Sequence, residues 1–343
     1  MPSEFELAKK ALEKSKVIAF PTETVMGLGV YFDDEKAYNL LNDIKRRPED
    51  KPYTLMVSNK EEIDKYAYLT LRDRQIINVF MPGPITVLLR AKSSVPSYVT
   101  HNTGIIGIRV PNMKNIRDLL EYLEKPLLVP SANRSGEKPF ISYQEVEKEF
   151  GNELGYIYKE NALGAKPSTI IDLTNDDVKI IREGPISLED IKRSVRIMKI
   201  AVGCDHGGLE YKNAIKEHLE KSGHQVVDVG TFNHDSCHYP TFGIAVGEKV
   251  ASKECDFGVL VCTSGEGIAI AANKVKGVRC GIAYNDDVAR LMREHNNANV
   301  ISFGQKFMKL EDVLRRVDIF LSTEFAGGRH ATRVDIISAQ EEK

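Results

Sequence analysis

From Met198 onward the sequence alternates short apolar strands with helical stretches: KIAVGCD, a helix, HQVVDVGT, a helix, FGVLVCT, a helix, VRCGIAY, a helix, NVISFG and a last helix. This rhythm restricts the fold more tightly than any other feature of the chain. Strands joined by helices run parallel, and right-handed crossovers put helices on both faces of the sheet. It predicts a Rossmann-like, doubly wound α/β/α domain on a parallel sheet of five strands. Ligands in such sheets bind beyond the C-terminal strand ends. Polar residues fall at those ends: Asp205 and His206, then Cys262, Thr263, Ser264 and Gly265, then Gly304.

The residues before Met198 follow another plan. A chain of 343 residues exceeds the usual size of one core, and an apolar fraction of 42% can fill two. After IIREGPIS comes a charged helical stretch, LEDIKRSVRI, and then MKIAVGCDHGG reads like a fresh start. We expect a boundary near residue 195, with domains over 1–192 and 197–343. All five cysteines and seven of the eight histidines lie in the second part. No CxxC pair occurs, and an odd cysteine count argues against a disulfide framework. The net charge is −2, with 26 Lys+Arg against 29 Asp+Glu in residues 1–190 and 21 against 20 in residues 191–343. Neither part carries the basic excess of a dedicated nucleic-acid binder. No apolar run reaches the roughly 18 residues of a membrane span. MPSEFELAKKALEKSK lacks an apolar signal core. The expectation is a cytoplasmic protein without a membrane partner.

In the first part, VIAFPTETVMGLGV opens as a strand, breaks at Pro21 and presents Thr22, Glu23 and Thr24. Such a polar cluster suits a ligand loop, and equally a plain turn. IKRRPEDKPYTLMVS crowds Lys45, Arg46, Arg47 and Lys51 between breaks made by two prolines. Cations on a stiff loop suit a polyphosphate, and a solvated charge run reads the same way. Further polar residues stand at strand ends: Arg109 in GIRVP, Ser131 and Asn133 in PSANRSG, Ser168 in PSTIID and Arg182 in REG. Convergence of such residues is the usual geometry of a small-molecule site.

Taken in order, PTETVMGLG, KRRPEDKP, PGPIT, GIRVP, PSANRSG, PSTIID and REG resemble a YrdC-type threonylcarbamoyl-AMP synthase over roughly residues 5–190. The resemblance implies a twisted α/β (α+β) sheet. It implies that L-threonine, bicarbonate and ATP, with Mg2+, give threonylcarbamoyl-AMP and pyrophosphate, for tRNA threonylcarbamoyladenosine formation. It places Lys45, Arg47 and Lys51 in the basic motif and Thr22 and Arg109 at the threonine. Ser131, Asn133, Ser168 and Arg182 fall around the nucleotide. tRNA is reached only indirectly, through downstream transferases. Met26 departs from the family, which commonly has tyrosine there.

In the second part CTSGEGIAIAANK is the densest motif. It lacks the GK[ST] ending of a Walker loop and is not GxGxxG. Cys262 stands where the strand ends, and loop N–H groups would favour its thiolate. A small buried apolar residue is the plain alternative. GGRHATRV spaces Arg329 and Arg333 four apart, on one helix face, a pair that suits a phosphate ester or a solvated helix end.

GCDHGG, VCTSGEGIAIAANK, REHNNANV, FGQKF and STEFAGGRHATRV together resemble ribose-5-phosphate isomerase B from Met198 to about Ser338. The hexose-6-phosphate (LacAB-like) isomerases share that fold. The resemblance implies Cys262 as the base that takes the C2 proton and His295 as the acid that opens the furanose ring. It implies sugar-phosphate contacts from Asp205, His206, Tyr239, Thr263, Ser264, Gly265, Gly267, Asn296, Lys306, Arg329 and Arg333. The last two come from a neighbouring subunit, so at least a homodimer is implied, with no metal or cofactor for the isomerase. Lys306 replaces an expected arginine, keeping charge but losing the fork. His238 replaces an Asp before Tyr-Pro, and Ile268 stands where some relatives carry a glutamate base.

The first expectation is a bifunctional enzyme. A competing one makes the first part a nucleotide-binding or RNA-binding module, with the second part acting on another sugar phosphate. The intact Ser-Ala-Asn and Lys-x-Arg motifs speak against a degenerate first part, and the balanced charge speaks against strong RNA affinity.

Overall fold

Period-two alternation of apolar side chains builds two sheets. The computed structural model describes residues 2–46, 52–164, 166–175 and 177–341. It divides into two compact units, residues 1–69 with 76–195 and residues 70–75 with 196–343.

The strands of the first unit are β1 (Ile18–Phe20), β2 (Gly27–Tyr31), β3 (Thr54–Met56), β4 (Ile85–Arg90), β5 (Ile105–Arg109), β6 (Leu127–Leu128), β7 (Tyr156–Ile157), β8 (Thr169–Asp172) and β9 (Lys179–Arg182). They form one mixed sheet in the order β7-β1-β2-β6-β3-β5-β4-β8-β9. Ala19, Leu28, Val30 and Leu55 point to one core, and Ile18, Phe20, Tyr31 and Met56 to the other. The helix Lys114–Leu123 seals the second face with Ile116, Leu119, Leu120 and Leu123, an i, i+3, i+4, i+7 stripe. Each such fully buried side chain contributes about 1.5–3 kcal/mol. The opposite face takes Leu41 and Ile44 of the helix Glu35–Lys45 and Val146 and Phe150 of the helix Tyr143–Phe150. The charged stretch before Met198 is the helix Leu188–Ser194, begun by a capping box between Ser187 and Asp190.

In the second unit β10 (Lys199–Cys204), β11 (Gln225–Asp228), β12 (Phe257–Cys262), β13 (Cys280–Ile282) and β14 (Val300–Gly304) form the expected five-stranded parallel sheet, in the order β11-β10-β12-β14-β13. Along β12, Val259 and Val261 enter one core while Leu260 and Cys262 enter the other. Helices Leu209–Lys221, Asp286–Glu294 and Leu310–Ser322 cover the first face; Tyr239–Ala251 and Glu266–Ala272 cover the second. The order changes direction at β10 and β12, so the loops after these strands flank the crevice where such sheets bind ligands. No helix among the described residues is long and apolar enough to cross a membrane.

Candidate active sites

A cleft of about 170 Å³ in the first unit is lined by Thr22 and Thr24 after β1, Arg109 at the end of β5, Ser131 after β6, Ser168 before β8 and Arg182 at the end of β9. Arg182 donates to the Ser168 carbonyl from Nε at 3.0 Å and Nη2 at 2.9 Å, and to the Ser168 hydroxyl at 3.0 Å. Burial lowers its pKa below the ordinary arginine value, and the charge of Arg109 pushes the same way. The Ser168 hydroxyl in turn meets Thr86 Oγ1 at 3.1 Å. Arg109 pairs with Glu23 at 2.8 Å and donates to Thr24 Oγ1 from both Nη atoms at 3.2 Å. The Thr22 hydroxyl donates to the Val25 carbonyl at 2.7 Å and accepts the amides of Thr24 and Val25 at 3.1 and 3.2 Å, closing its own turn. Met26, the departure from the family pattern, is fully buried on the cleft wall.

Lys45 differs from its expected setting as a cation on a loop. It is the last residue of the helix Glu35–Lys45, after which Arg46 turns left-handed, and its side chain is buried. Its Nζ donates to the carbonyls of Ser131 and Asn133, each at 2.6 Å, and to Asn133 Oδ1 at 3.3 Å. The ammonium thus reaches three acceptors of the Ser131–Asn133 turn. Asn133 is fixed further by the Ser131 hydroxyl at 2.6 Å and by its own Nδ2 donating to the carbonyls of Arg134 and Glu137 at 2.8 Å. Arg47 and Lys51 lie outside the described residues.

In the second unit the candidate residues gather at the C-terminal ends of β10, β12 and β14. The Gly265 N–H donates to Cys262 Sγ at 3.1 Å, and Cys262 is buried. Gly265 has φ +85°, and a Cβ there would stand 2.9 Å from the Phe303 carbonyl carbon, so only glycine closes this loop against β14. The two loops are laced together. Gln305 N–H donates to the Cys262 carbonyl at 3.0 Å, Lys306 N–H to the Thr263 carbonyl at 3.2 Å and the Ser302 hydroxyl to the Gly265 carbonyl at 2.7 Å. Ser264 Oγ accepts the Glu266 amide at 3.3 Å. Asp205 is buried, and its Oδ1 accepts the Gly207 amide at 3.0 Å, capping the turn His206–Gly208. His206 Nδ1 accepts the Cys237 amide at 3.3 Å, so the neutral ring carries its proton on Nε2. The Tyr239 ring lies against Gly267, where a Cβ would come within 2.7 Å of Cζ.

His295 ends the helix Asp286–Glu294, and its ring stacks on His330 at 4.0 Å with an interplanar angle of 6°. Burial lowers the pKa of His330, and the charges of His295, Arg329 and Arg333 act in the same direction against Glu294. The turn that carries Asn296 is held by Arg293, which donates to Asn297 Oδ1 at 2.8 Å and the Ala298 carbonyl at 2.6 Å beneath the Phe257 ring. Burial brings the Arg293 pKa down to about 10. Arg329 and Arg333 are exposed on the helix Arg329–Gln340, and Lys306 is exposed too. Among the described residues neither arginine is hydrogen-bonded to Asp205, Cys262 or Lys306. No group of three or more His, Cys, Asp or Glu is placed to hold a metal ion among the described residues.

Residues 10–184 match the family described as Telomere recombination (Sua5/YciO/YrdC), and residues 200–337 match the Ribose/Galactose Isomerase family. The second stretch is 41% identical over 145 residues to ribose-5-phosphate isomerase B of Escherichia coli, covering 42% of this chain and 97% of that protein. A Methanocaldococcus jannaschii protein provisionally named threonylcarbamoyl-AMP synthase is 35% identical over 189 residues, covering 55% of this chain and 89% of the relative. The chain belongs to both families, one after the other. The crystal structure of E. coli YciO shares the first fold at a TM-score of 0.52 and 27% identity, over 56% of this chain and 95% of that one.

In the Sua5/YciO/YrdC unit the fold brings together five expected residues at the cleft, Thr22, Arg109, Ser131, Ser168 and Arg182, with Lys45 and Asn133 directly behind Ser131. Sequence reasoning missed Glu23 and Thr24 as partners of Arg109, although both stand in the same polar PTET run. In the isomerase-family unit the end of β12 and the loops after β10 and β14 carry Cys262, Asp205 and Lys306 to one sheet end, while His330 was missed as the stacking partner of His295. The stack joins two helices that no sequence period relates.

Proposed function

We propose that the chain is a bifunctional enzyme, with a threonylcarbamoyl-AMP synthase over residues 1–192 and a ribose-5-phosphate isomerase over residues 197–343. The isomerase rests chiefly on the Gly265 N–H aimed at Cys262 Sγ at 3.1 Å at a C-terminal strand end, in a unit 41% identical to the E. coli isomerase. A thiolate so held takes the C2 proton of the open-chain aldose. Negative charge moves to O1 of the enediolate, which the loop N–H groups stabilise; the proton returns to C1 and the O2 hydroxyl proton passes to O1, leaving the ketone at C2. His295 opens the furanose ring. Asp205, His206, Tyr239, Thr263, Ser264, Gly267 and Asn296 hold the sugar, and Lys306, Arg329 and Arg333 the phosphate. The two arginines act on the neighbouring subunit of a homodimer, and no cofactor is consumed. Because the matching family spans ribose and galactose isomerases, a hexose 6-phosphate is the competing substrate.

For the first unit the supporting observation is a cleft with two guanidinium groups, Arg109 and Arg182. Bicarbonate takes up a proton and loses water to give CO2, which the amine of L-threonine captures as a carbamate with release of a proton. A carbamate oxygen attacks the α-phosphorus of ATP and pyrophosphate leaves. Mg2+ enters bound to the phosphates, as part of the substrate. The product serves tRNA modification through other proteins, in the cytoplasm, with no direct tRNA contact. One preparation of the full chain tests both activities. Pyrophosphate release should require threonine and bicarbonate together, and ribose 5-phosphate should be converted at least 10-fold faster than galactose 6-phosphate. Pyrophosphate release that ignores threonine, or a preference for the hexose, would refute the corresponding half.

A further inference from the structure

A buried ion pair stands behind the wall of the first unit's cleft. Arg109 and Glu23 meet at 2.8 Å, with side chains only 8% and 11% exposed. Glu23 Oε1 also accepts the Asn112 amide at 2.9 Å, and the Arg109 guanidinium is fixed again by Thr24 Oγ1. Arg109 and Thr24 line the cleft, whereas Glu23 does not. Two buried atoms of this pair, Glu23 Oε2 and Arg109 Nε, have no hydrogen-bond partner among the described residues. The other cleft guanidinium, Arg182, is held by the carbonyl and hydroxyl of Ser168. Among the described residues no carboxylate pairs with it.

The two arginines therefore offer different charges to a ligand. Among the described residues Arg182 has no carboxylate partner, and it suits a phosphate chain. Arg109 and Glu23 sum to zero, so a ligand seated there meets a dipole rather than a net cation. A polyanion gains little from such a pair and still loses its hydration. A zwitterion loses less, since its carboxylate pairs with the guanidinium while its own ammonium keeps the total charge neutral. We infer that Glu23 is a positioning residue that locks the Arg109 guanidinium and offsets its charge, so that the end of the cleft already given to the amino acid takes its carboxylate and refuses a second phosphate. The inference rests on the threonylcarbamoyl-AMP synthase reading of the first unit and assigns Glu23 the task of separating its two substrates.

The test is threonine-dependent pyrophosphate release by the full-length chain, with Glu23→Gln and Glu23→Asp beside wild type. Glu23→Gln should raise KM for threonine about 10- to 100-fold, the usual effect of losing a charge-assisted hydrogen bond, with KM for ATP within about twofold. Inorganic phosphate should become competitive with threonine in Glu23→Gln and not in wild type, which loosening of the cleft alone would not produce. In an Arg109→Met background Glu23→Gln should add no further rise. An unchanged threonine KM, equal rises for threonine and ATP, or an effect that persists in Arg109→Met would overturn the inference. If Glu23→Gln does not fold, Glu23→Asp decides: threonine KM should rise alone, without phosphate competition, and an unchanged value overturns the assignment. A wild-type chain that releases no pyrophosphate with threonine instead defeats the reading of the unit and this inference with it.

Discussion

Lys45 Nζ donates to the carbonyl of Asn133 at 2.6 Å and to its side-chain oxygen at 3.3 Å, so one ammonium holds both acceptors of that residue. With the Ser131 carbonyl as third acceptor at 2.6 Å, Lys45 serves the cleft by fixing the turn that lines it. Lys45→Met takes the donor from the buried Asn133 carbonyl, while Asn133 Oδ1 keeps the Ser131 hydroxyl and the Ser131 carbonyl keeps the Asn133 amide; an unsatisfied buried group costs about 1–3 kcal/mol. The first unit should then unfold several degrees lower, since about 1 kcal/mol shifts a domain of 150–250 residues by roughly 2–4 °C. Pyrophosphate release should fall at least 10-fold, and Lys45→Arg should not restore it, because a planar guanidinium cannot reach the same three acceptors. Loss of activity with an unshifted melting curve would point to a direct phosphate contact instead.

Cys262→Ser replaces thiol by hydroxyl with little change of shape, so the fold should survive. Isomerase turnover should drop about 100- to 10,000-fold, the usual contribution of a general base. Threonine-dependent pyrophosphate release should be unchanged. Near-wild-type isomerisation by this variant, followed as ribulose 5-phosphate formed, would eliminate the thiolate.

Asp318 is buried, and its Oδ1 meets His218 Nε2 at 2.7 Å. Burial pulls the His218 pKa down, but the hydrogen bond and charge of Asp318 leave it raised above 6.5. A proton held more tightly in the folded chain stabilises it fully below the unfolded value of about 6.5 and ceases to do so as pH rises through the raised value. His224 opposes this. Burial lowers its pKa, aided by His218, and its Nδ1 accepts the Met198 amide at 3.1 Å. Asp318→Asn removes the His218 contribution and the support Asp318 gives to a charged His224. Its destabilisation relative to wild type should therefore be larger at pH 5.5 than at pH 8 in urea unfolding. Equal losses at both pH values would show that the His218 proton is not linked to folding.

Arg333 is exposed on the helix Arg329–Gln340, where Ile336 and Ile337 are also 68% and 48% exposed. If the arginines act across a dimer, Cys262→Ala and Arg333→Ala chains should each be inactive alone and regain activity when mixed, because a hybrid dimer contains one intact site. Statistical mixing predicts recovery of up to about a quarter of wild-type activity for equal chains and two sites per dimer. No recovery after subunit exchange, shown by mass spectrometry, would place each site within one chain.

The sequence by itself determined the features that depend on neighbours along the chain. Alternation along KIAVGC and FGVLVC, each followed by a glycine-containing turn, was sufficient for β10, β12 and the loops that carry Asp205 and Cys262. Period two and period 3.6 are local properties of the backbone. The ordered motifs likewise led to both families before any contact was known. The use made of a polar side chain was not legible in this way. Lys45 reads as a phosphate cation until its three acceptors appear, 86 and 88 residues further on. Arg109 reads only as a polar residue at a strand end until Thr24, 85 residues earlier, and Glu23 beside it close on it. The His295–His330 stack is of the same kind. Hydrogen-bond valence and charge compensation are settled by whichever groups the fold brings within about 3 Å, and only the tertiary structure decides which those are.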